Sequence, residues 1–284
     1  MTRWLVTGAG GTLGRDLVDR LSGEDVTAAS HADLDITRLE DVRAAVEGMD
    51  VVLNAAAYTD VDGAEEDFRQ ALAVNRDGPA ILARAARRAG ARLITVSTDY
   101  VFAGDAKDPY REDAPTRPAT AYGRSKLWGE QAALEAHPDR TYVVRTAWLY
   151  GRHGPNFVRT MLRLERERET VDVVDDQTGQ PTWAQDLAAG LVALARSSAP
   201  PGVYHASGAG QATWYELARA VFAGVDADPD RVRPTSTDRY PRAARRPAYS
   251  VLSHARWRAA GLPPMRPWQD SLTAALPNLR GGRG

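Results

Sequence analysis

The chain opens with a short apolar segment that runs into a glycine-rich turn and then into a helix-like pattern. Residues 4–7 have the composition of a buried strand, and the turn Gly8-Ala9-Gly10-Gly11-Thr12-Leu13-Gly14 follows them. Leu17, Val18 and Leu21 then recur at the spacing of one helical face. Glycines at a strand-to-helix turn let the backbone approach a pyrophosphate, which the positive end of the helix attracts. The spacing G-x-x-G-x-x-G therefore predicts a dinucleotide-binding fold, with a glycine turn that holds no ligand as the alternative.

Strand-like and helix-like segments alternate through the first half of the chain. Further strands are predicted at Asp25–Ala29, Val51–Asn54, 93–97 and 142–146. One helix is predicted to run from a capping box of Thr37 and Glu40 to Val46, and another over 81–89, ended by Gly90. Apolar strands separated by helices indicate a parallel sheet covered on both faces. We therefore predict an α/β fold with a doubly wound parallel sheet of the Rossmann type, with ligands at the carboxyl ends of its strands.

The second half of the chain is less regular and richer in Pro, Arg and Trp. We expect loops at 181–183, 200–202 and 263–264, a helix capped by Thr213, and disorder over 280–284. The predicted organisation is a dinucleotide-binding Rossmann domain over residues 1–150, to which parts of 182–206 return. A smaller substrate-binding lobe is predicted mainly over residues 151–284.

Charge and composition exclude several classes of function. Lys and Arg number 36 against 37 Asp and Glu, and the net charge of −1 argues against a general nucleic-acid binder. The absence of cysteine excludes disulfides, thiolate catalysis and cysteine-based metal sites. No secretory signal pattern precedes the first strand, and the apolar run 187–195 is too short to cross a bilayer. We therefore expect a cytoplasmic protein with no nucleic-acid or membrane partner.

A tyrosine and a lysine stand four residues apart in the segment Tyr122-Gly123-Arg124-Ser125-Lys126. On a helix, residues at this spacing share a face, so the phenol and the ammonium point into the same space. A nearby cation favours phenolate over phenol and is expected to lower the pKa of Tyr122 from about 10. Such a tyrosine exchanges a proton with a sugar or alcohol oxygen near neutral pH. Y-x-x-x-K alone often arises by chance. The pair indicates a catalytic site only because the same chain also has the glycine turn.

Together, the glycine turn and the Tyr122/Lys126 pair resemble the extended short-chain dehydrogenase/reductase superfamily, whose members commonly act on nucleotide sugars. Finer motifs resemble the dTDP-4-dehydrorhamnose reductase family. They are Asn54-Ala55-Ala56-Ala57-Tyr58-Thr59-Asp60-Val61-Asp62, Ser97-Thr98-Asp99-Tyr100-Val101-Phe102, Arg145-Thr146-Ala147-Trp148-Leu149-Tyr150-Gly151, Asp176-Gln177-x-Gly179-x-Pro181-Thr182 and Arg246-Pro247. The resemblance implies an NAD(P)H-dependent oxidoreductase that reduces the C4 ketone of a dTDP-4-dehydro-6-deoxy sugar, foremost dTDP-4-dehydro-L-rhamnose to dTDP-L-rhamnose.

The resemblance also implies roles for individual residues. Tyr122 would donate the proton to the C4 oxygen, Lys126 would bind the nicotinamide ribose hydroxyls, and Thr98 would orient the carbonyl. Residues matched to cofactor contacts are Gly8, Gly11, Thr12, Leu13 and Gly14 in the turn, Asp35 and Ile36 beside the adenine, Ala57, Tyr58 and Thr59 after the third strand, and Tyr122 and Lys126 themselves. Thr98, Asp99 and Trp148 match positions that contact the sugar nucleotide. The alternative for Thr98 is a hydroxyl bonded to its own backbone, and for Trp148 it is core packing.

The segment after the second predicted strand bears on the choice of cofactor. Sites selective for NAD usually place Asp or Glu there to hold the adenosine ribose hydroxyls. This chain has Ala28-Ala29-Ser30-His31, with no acid until Asp33 and no Arg. A missing carboxylate removes repulsion against a 2′-phosphate, to which Ser30 or His31 can donate. We therefore expect Ser30 to contact the cofactor and NADPH to be used, with NADH also accepted.

Three other functions stay open at this point. A nucleotide-sugar 4,6-dehydratase would resemble Thr-Asp-Glu, whereas this chain has Thr98-Asp99-Tyr100 and lacks the Glu that abstracts a proton. A related reductase or synthase of an antibiotic deoxysugar would share all of these motifs. A non-catalytic subunit would keep the fold but would have no need for Thr98, Tyr122 and Lys126.

No metal site is predicted from the sequence. Some relatives form metal-bridged dimers through acidic residues, and Asp16 is a possible counterpart, but one acid is not a site. A homodimer and a role for Mg²⁺ are therefore left open. Arg245 and Arg246 either hold the substrate diphosphate through charge-assisted bonds or are ordinary surface arginines.

Overall fold

A computed structural model of the chain describes residues 1–280. The strands are β1 (Arg3–Thr7), β2 (Asp25–Ala29), β3 (Val51–Asn54), β4 (Arg92–Thr98), β5 (Thr141–Thr146), β6 (Leu149–Tyr150), β7 (Val171–Val174), β8 (Thr178–Gly179), β9 (Thr182–Trp183), β10 (Gly202–His205), β11 (Ala212–Thr213) and β12 (Val232–Thr235). The helices are α1 (Thr12–Arg20), α2 (Leu39–Val46), α3 (Gly63–Glu66), α4 (Phe68–Leu72), α5 (Gly78–Ala89), α6 (Ala121–Ala136), α7 (Phe157–Glu167), α8 (Ala184–Arg196), α9 (Trp214–Ala223), α10 (Ala255–Ala259) and α11 (Trp268–Arg280). A π-helical turn, Ala73–Asp77, joins α4 to α5, and 3₁₀ turns lie at Asp99–Val101, Pro229–Arg231 and Thr237–Arg239.

The central sheet has six parallel strands in the order β10-β5-β4-β3-β1-β2. The chain moves outward from β1 to β2 and then returns to the other side of β1 with β3. In open α/β sheets, ligands bind outside the carboxyl ends of the strands at such a reversal. The glycine turn after β1 and the segment after β3 therefore flank the expected crevice. The predicted doubly wound parallel sheet is confirmed, and each strand predicted in the first half of the chain lies within one residue of its observed bounds.

Helices cover the sheet on both faces because successive strand residues point in opposite directions. Trp4 and Val6 of β1 belong to the core under α1 and α8. Leu5, between them, belongs to the core under α2 and α5. Burying a side chain of this size contributes about 1.5–3 kcal/mol. The continuous apolar runs of the strands are thus explained by two buried faces.

A second core lies in the C-terminal part of the chain, beneath α7, α9 and α11. Val158 and Met161 of α7, Phe222 of α9 and Leu276 of α11 pack there against Val173 of β7. This part also contains three short strand pairs, which are β6 with β9, β7 with β12 and β8 with β11. The chain returns from it through α8, which packs on α1, to β10 at the edge of the central sheet. The division at residue 150 stays a prediction.

Helix ends show where local patterns decide the structure. The Thr213 hydroxyl accepts from Glu216 N at 3.1 Å and the Glu216 carboxylate accepts from Thr213 N at 2.8 Å, so the predicted cap of α9 is confirmed. Gly90 ends α5 as predicted, with φ of +69°. The predicted capping box of Thr37 and Glu40 is wrong. The N–H and hydroxyl of Thr37 donate to Asp35 Oδ1 at 2.9 and 2.7 Å instead, and α2 begins only at Leu39.

In the second half of the chain, two segments that were expected to be irregular contain regular structure. The segment 181–183 was expected to be a loop but contains β9, because Thr182 and Trp183 pair with β6. Of the tail expected to be disordered, Arg280 is the last residue of α11 and donates to the Gly224 carbonyl at 2.8 Å, and 281–284 lie outside the described residues. Among the described helices, none has both the length and the apolar composition needed to cross a membrane.

Candidate active site

A cavity of about 1820 Å³ opens along the carboxyl edge of the central sheet. Its outer wall is formed by α7, β7 and the segments that carry Trp214 and Arg246. Every residue to which the sequence assigns a catalytic, cofactor or substrate role lies in its lining. These residues are Gly8, Gly11, Thr12, Leu13, Gly14, Ser30, Asp35, Ile36, Ala57, Tyr58, Thr59, Thr98, Asp99, Tyr122, Lys126 and Trp148. The fold thus brings them together in one place, and their individual roles stay predictions.

The turn between β1 and α1 has the shape that a pyrophosphate requires. Gly8 has φ of +69°, and a Cβ there would lie 2.6 Å from Ala56 N, so only glycine fits. Gly11 N donates to the Gly8 carbonyl at 3.0 Å and closes the turn. Gly11 is also the N-cap of α1, which has no side-chain cap and no acidic residue in its first turn. The first N–H groups of the helix therefore remain available for an anion, and the turn fits a dinucleotide phosphate.

The segment after β2 places a carboxylate beside Ser30. Asp33 Oδ2 accepts from Ser30 Oγ at 2.6 Å and from Ser30 N at 2.9 Å, because a tight turn after β2 folds Asp33 back. These hydrogen bonds lower the pKa of Asp33, which is therefore ionised at neutral pH. The position directly after β2 holds Ser30 and no acid, as the sequence indicates, and the fold brings the next acid, Asp33, beside it. The Ser30 hydroxyl already donates to Asp33, so it does not stand free for a 2′-phosphate.

Helix α6 carries Tyr122 and Lys126 into the cavity, and the Thr120 hydroxyl caps it by accepting from Gly123 N at 3.0 Å. Tyr122 is 9% exposed and Lys126 is 5% exposed. Burial raises the pKa of Tyr122; the Thr98 hydroxyl opposes this rise and the Asp99 charge adds to it. The expectation that Lys126 lowers the pKa of Tyr122 is wrong, because burial dominates. The phenol is protonated at neutral pH, which is the form that donates a proton.

The ammonium group of Lys126 lies at the inner end of the cavity. Lys126 Nζ donates to the Val96 carbonyl at 2.7 Å, which leaves further N–H groups for a ligand. Burial lowers the pKa of Lys126 to about 8, against the attraction of the Glu130 carboxylate one helical turn later. Glu130 is itself paired with Arg145, with Nε–Oε1 at 2.9 Å and Nη2–Oε2 at 2.6 Å, and both side chains are buried. This pairing explains why Glu130 compensates little of the cost of burying Lys126.

Strand β4 ends in a hydroxyl and a carboxyl group that face the cavity. Thr98 Oγ1 accepts from Tyr100 N at 3.2 Å and donates to Asp99 Oδ1 at 2.9 Å. The hydroxyl therefore bonds to the nearby backbone, as the alternative stated, and Thr98 also lines the cavity, as predicted. Burial raises the pKa of Asp99 to about 6, and the hydrogen bond from the Thr98 hydroxyl opposes this rise. The Tyr100 ring packs edge-on against Tyr122, with centroids 5.6 Å apart. An aromatic ring thus stands where a dehydratase would need its carboxylate base.

Trp148 follows β5 and forms part of the cavity wall. Its backbone has φ of +44°, in the left-handed region. Its indole is half-buried and stacks on Trp214, with centroids 3.5 Å apart and planes inclined by 6°. Trp148 therefore lines the cavity, as predicted, and it also packs against another aromatic side chain, as in the alternative.

The two arginines that were candidates for a diphosphate differ in position. Arg246 lines the cavity and binds Asp62 through two bonds, Nη2–Oδ2 at 2.7 Å and Nη1–Oδ1 at 3.1 Å. Arg245 is exposed and lies outside this cavity. Of the two arginines only Arg246 faces the cavity, and the Asp62 carboxylate already compensates its charge, so a role in binding the diphosphate stays a prediction.

Asp16, Asp19 and His153 bring ligand atoms within 4.8 Å of one another beside α1. Burial raises the pKa of Asp16 to about 6. Burial also lowers the pKa of His153, as do the neighbouring charges of Arg15 and Arg152. Because these arginines disfavour a further cation, we assign no metal to the cluster, and the prediction of no metal site stays a prediction.

The sequence reasoning missed a buried asparagine that supports the site. Asn75, in the π-helical turn, is 1% exposed. Its Oδ1 accepts from Tyr58 N at 2.9 Å, and its Nδ2 donates to the Tyr58 carbonyl and to Ser125 Oγ, each at 3.0 Å. It thereby joins the turn after β3 to α6. The available signal was an amide directly after the apolar run 71–74, since buried polar groups need partners. Gln177 and Trp214 in the cavity wall were missed as well.

Comparison with known proteins agrees with this geometry. The chain matches the family described as the RmlD substrate binding domain over residues 2–280. It is 54% identical over 281 residues to the dTDP-4-keto-6-deoxy-D-glucose reductase of Streptomyces niveus, with 98% of this chain and 97% of that protein covered. It is 53% identical over 290 residues to the dTDP-4-dehydrorhamnose reductase of Streptomyces griseus, with 99% and 95% covered.

A solved structure leads to the same family. The dTDP-4-dehydrorhamnose reductase from Bacillus anthracis, in complex with NADP, superposes with a TM-score of 0.93 at 38% identity, and 97% of this chain and 99% of that one are covered. The motifs, the parallel sheet and these matches over nearly the full length agree with one another. The chain belongs to the dTDP-4-dehydrorhamnose reductase family.

Proposed function

We propose that the protein is an NAD(P)H-dependent oxidoreductase that reduces the C4 ketone of a dTDP-4-dehydro-6-deoxy sugar, foremost dTDP-4-dehydro-L-rhamnose to dTDP-L-rhamnose. One observation carries the proposal: Tyr122, Lys126 and Thr98 line the same cavity as the phosphate-binding turn. Relatives at 53% and 54% identity that are named as reductases of dTDP-linked keto sugars support the reaction and the class of substrate.

Each side chain has a separate role in this reduction. A bound nicotinamide supplies the hydride that reaches C4. Tyr122 gives its phenolic proton to the C4 oxygen. The Thr98 hydroxyl, which donates to Asp99 Oδ1 in this structure, would turn to the ketone oxygen to hold it in place. Lys126 donates to the ribose hydroxyls, and its ammonium attracts the anionic cofactor. Because burial raises the pKa of Tyr122, the phenol carries the proton that this step requires.

A second candidate differs only in the sugar. The relative from Streptomyces niveus is named for dTDP-4-keto-6-deoxy-D-glucose, and it is as similar to this chain as the relative named for dehydrorhamnose. A reductase of antibiotic deoxysugar biosynthesis would use the same proton donor. Elimination by a dehydratase is disfavoured because Tyr100 takes the place of the base. A non-catalytic subunit is disfavoured because Tyr122, Lys126 and Thr98 are all kept in the cavity.

For the cofactor we propose NADPH, with NADH also accepted. The relative from Bacillus anthracis, with a structure in complex with NADP, supports NADPH. The Asp33 carboxylate beside Ser30 counts in favour of NADH, because its charge opposes a 2′-phosphate, although Asp33 itself is not among the residues that line the cavity. The cytoplasmic location and the possible homodimer stay predictions, and Mg²⁺ is given no role.

An assay of the purified protein tests the proposal. It offers dTDP-4-dehydro-L-rhamnose and dTDP-4-keto-6-deoxy-D-glucose separately, each with NADPH and with NADH, and follows cofactor absorbance and the product mass. We expect oxidation of the cofactor and a gain of two hydrogens in the sugar nucleotide. Faster turnover of the second sugar would select the antibiotic-sugar function. No cofactor oxidation with either sugar would refute both.

A further inference from the structure

We propose that Gln177, Gly179 and Trp214 form a cradle that fixes the indole of Trp148 against the sugar, with Gln177 and Trp214 as positioning residues that determine substrate specificity. The inference rests on the proposed function, because it takes the sugar nucleotide of that reaction to contact Trp148, as the sequence motifs predict. It also gives a physical role to the motif at 176–182, whose side chains take no part in the chemistry described above.

The backbone of Trp148 needs support from its surroundings. With φ of +44° it occupies a region that a bulky residue rarely adopts and that persists only where neighbouring structure holds it. The Trp148 carbonyl accepts from Thr182 N at 3.1 Å. The two residues after Trp148 form β6, which pairs with Thr182 and Trp183 of β9. The C-terminal end of the motif therefore holds the backbone of the tryptophan.

The indole itself is confined by Gly179 and Trp214. A Cβ on Gly179 would lie 2.6 Å from both Cζ2 and Nε1 of Trp148, so the indole lies where any larger residue would place a side chain. Gly179 does not have a positive φ, and the requirement for glycine is therefore one of space. The Trp214 ring lies parallel to the indole at 3.5 Å between centroids. Movement of the indole is restricted by both contacts.

A directional chain of hydrogen bonds orients Trp214. Its Nε1 donates to Gln177 Oε1 at 3.1 Å, and Gln177 Nε2 donates to Thr237 Oγ1 at 2.9 Å. Thr237 Oγ1 donates in turn to Asp176 Oδ1 at 2.6 Å. An indole N–H can only donate, so the oxygen of the Gln177 amide must face Trp214 and its nitrogen must face Thr237. Gln177 itself is 7% exposed, so its amide has one orientation that satisfies both neighbours.

If the cradle is disrupted, we expect weaker binding of the sugar, while the groups that take part in the reaction keep their positions. Displacing a group that positions the substrate by about 1 Å can cost as much as 10²-fold in rate. Gln177 lies in the cavity lining, as Thr237 does, so direct contact with the substrate is the competing explanation. An experiment must therefore separate an effect through Trp148 from an effect on the substrate itself.

The first variant is Gln177→Met, which keeps the length of the side chain but removes both hydrogen bonds. We expect the KM for dTDP-4-dehydro-L-rhamnose to rise about 10-fold, kcat to change less than about 3-fold, and the Kd for NADPH to stay unchanged. Trp214→Phe keeps a stacked ring but loses the N–H donor, and we expect it to match Gln177→Met. Gln269→Met, at an exposed position of α11, is the control. Normal KM values in both Gln177→Met and Trp214→Phe would refute the cradle.

A double-mutant cycle decides how Gln177 acts. In a Trp148→Ala background, adding Gln177→Met should change kcat/KM by less than about 2-fold, because the residue being positioned is gone. A full 10-fold loss in that background would mean that Gln177 contacts the substrate directly, and it would refute the cradle. An unchanged kcat/KM in Trp148→Ala alone would mean that Trp148 does not contact the sugar, and it would refute the cradle as well.

A spectroscopic measurement tests the cradle without any turnover. Two stacked indoles give a coupled near-ultraviolet circular dichroism band, which Trp148→Ala and Trp214→Phe remove. We expect Gln177→Met to weaken this band while the melting temperature stays close to that of Gln269→Met. An intact band in folded Gln177→Met would mean that the hydrogen bond does not orient the stack. This result is independent of which sugar, if any, the enzyme reduces.

Discussion

At the residue scale, Tyr122 is placed to act in proton transfer and not in cofactor binding. Tyr122→Phe keeps the ring and its edge contact with Tyr100 but removes the proton. We expect kcat to fall by on the order of 10² or more, while the Kd for NADPH changes little. Single-turnover kinetics and a fluorescence titration measure the two quantities on one preparation. Tyr215→Phe, outside the cavity lining, is the control. Near-normal turnover in Tyr122→Phe would mean that another group protonates the oxygen.

Lys126 should impose an upper pH limit on cofactor binding. Burial lowers its pKa to about 8, so the ammonium is present below that pH and is lost as the pH rises through it. Since the ammonium attracts the anionic cofactor, we expect the affinity for NADPH to fall about tenfold between about pH 7 and about pH 9.5. Lys126→Met should bind more weakly at neutral pH and show no such fall. A fall of equal size in Lys126→Met would assign the titration to another group.

Asp33 should set the balance between the two cofactors. Asp33→Asn removes the negative charge beside Ser30 but keeps an oxygen that accepts from it. We expect the ratio of kcat/KM for NADPH to that for NADH to rise about tenfold, because the repulsion of the 2′-phosphate is lost. Asp25→Asn, at the amino end of the same strand, is the matched control. If the ratio is the same in both variants, Asp33 does not face the cofactor.

At the scale of the elements, the position of α6 depends on Asn75. Asn75→Ala would leave Tyr58 N and the Tyr58 carbonyl without partners in a buried place. We expect the free energy of unfolding to fall by about 3 kcal/mol in urea, with weaker NADPH binding because the turn after β3 is released. Asn278→Ala, at an exposed position of α11, should be close to wild type. Wild-type stability in Asn75→Ala would show that water replaces the amide.

The same elements show how far the sequence predicts the structure. Strands β1, β3, β4 and β5 were predictable because each is a largely apolar run between turn residues, and such runs have few other ways to be buried. Thr37 was predicted wrongly because Asp35 competes for it locally. The stack of Trp148 on Trp214 and the bridge made by Asn75 join residues far apart in the chain, so no local pattern indicates them. The raised pKa of Tyr122 was missed for a related reason, since burial depends on the whole fold.

At the scale of the whole molecule, the cavity has one wall from the sheet edge and another from the C-terminal part. Ligands that contact both walls should stabilise the two parts together. NADPH at about 100 times its Kd should add about 2.7 kcal/mol to the free energy of unfolding. We expect thermal shifts with NADPH and with dTDP, and a larger shift with both. A shift with dTDP that disappears when NADPH is present would mean that the two ligands compete for one place.

The edge strand β10 also has a consequence for how the protein is made. During synthesis β5 leaves the ribosome well before β10, which pairs with it from Gly202 to His205. Until then the edge of β5 presents unpaired N–H and C=O groups, which in other sheets invite association with another chain. All of α7, β7 and α8 must be translated before that edge is covered. The nascent chain therefore passes through an interval in which its cofactor-binding half is nearly complete but still has an open edge, and slow translation over residues 147–201 would lengthen the exposure of that edge.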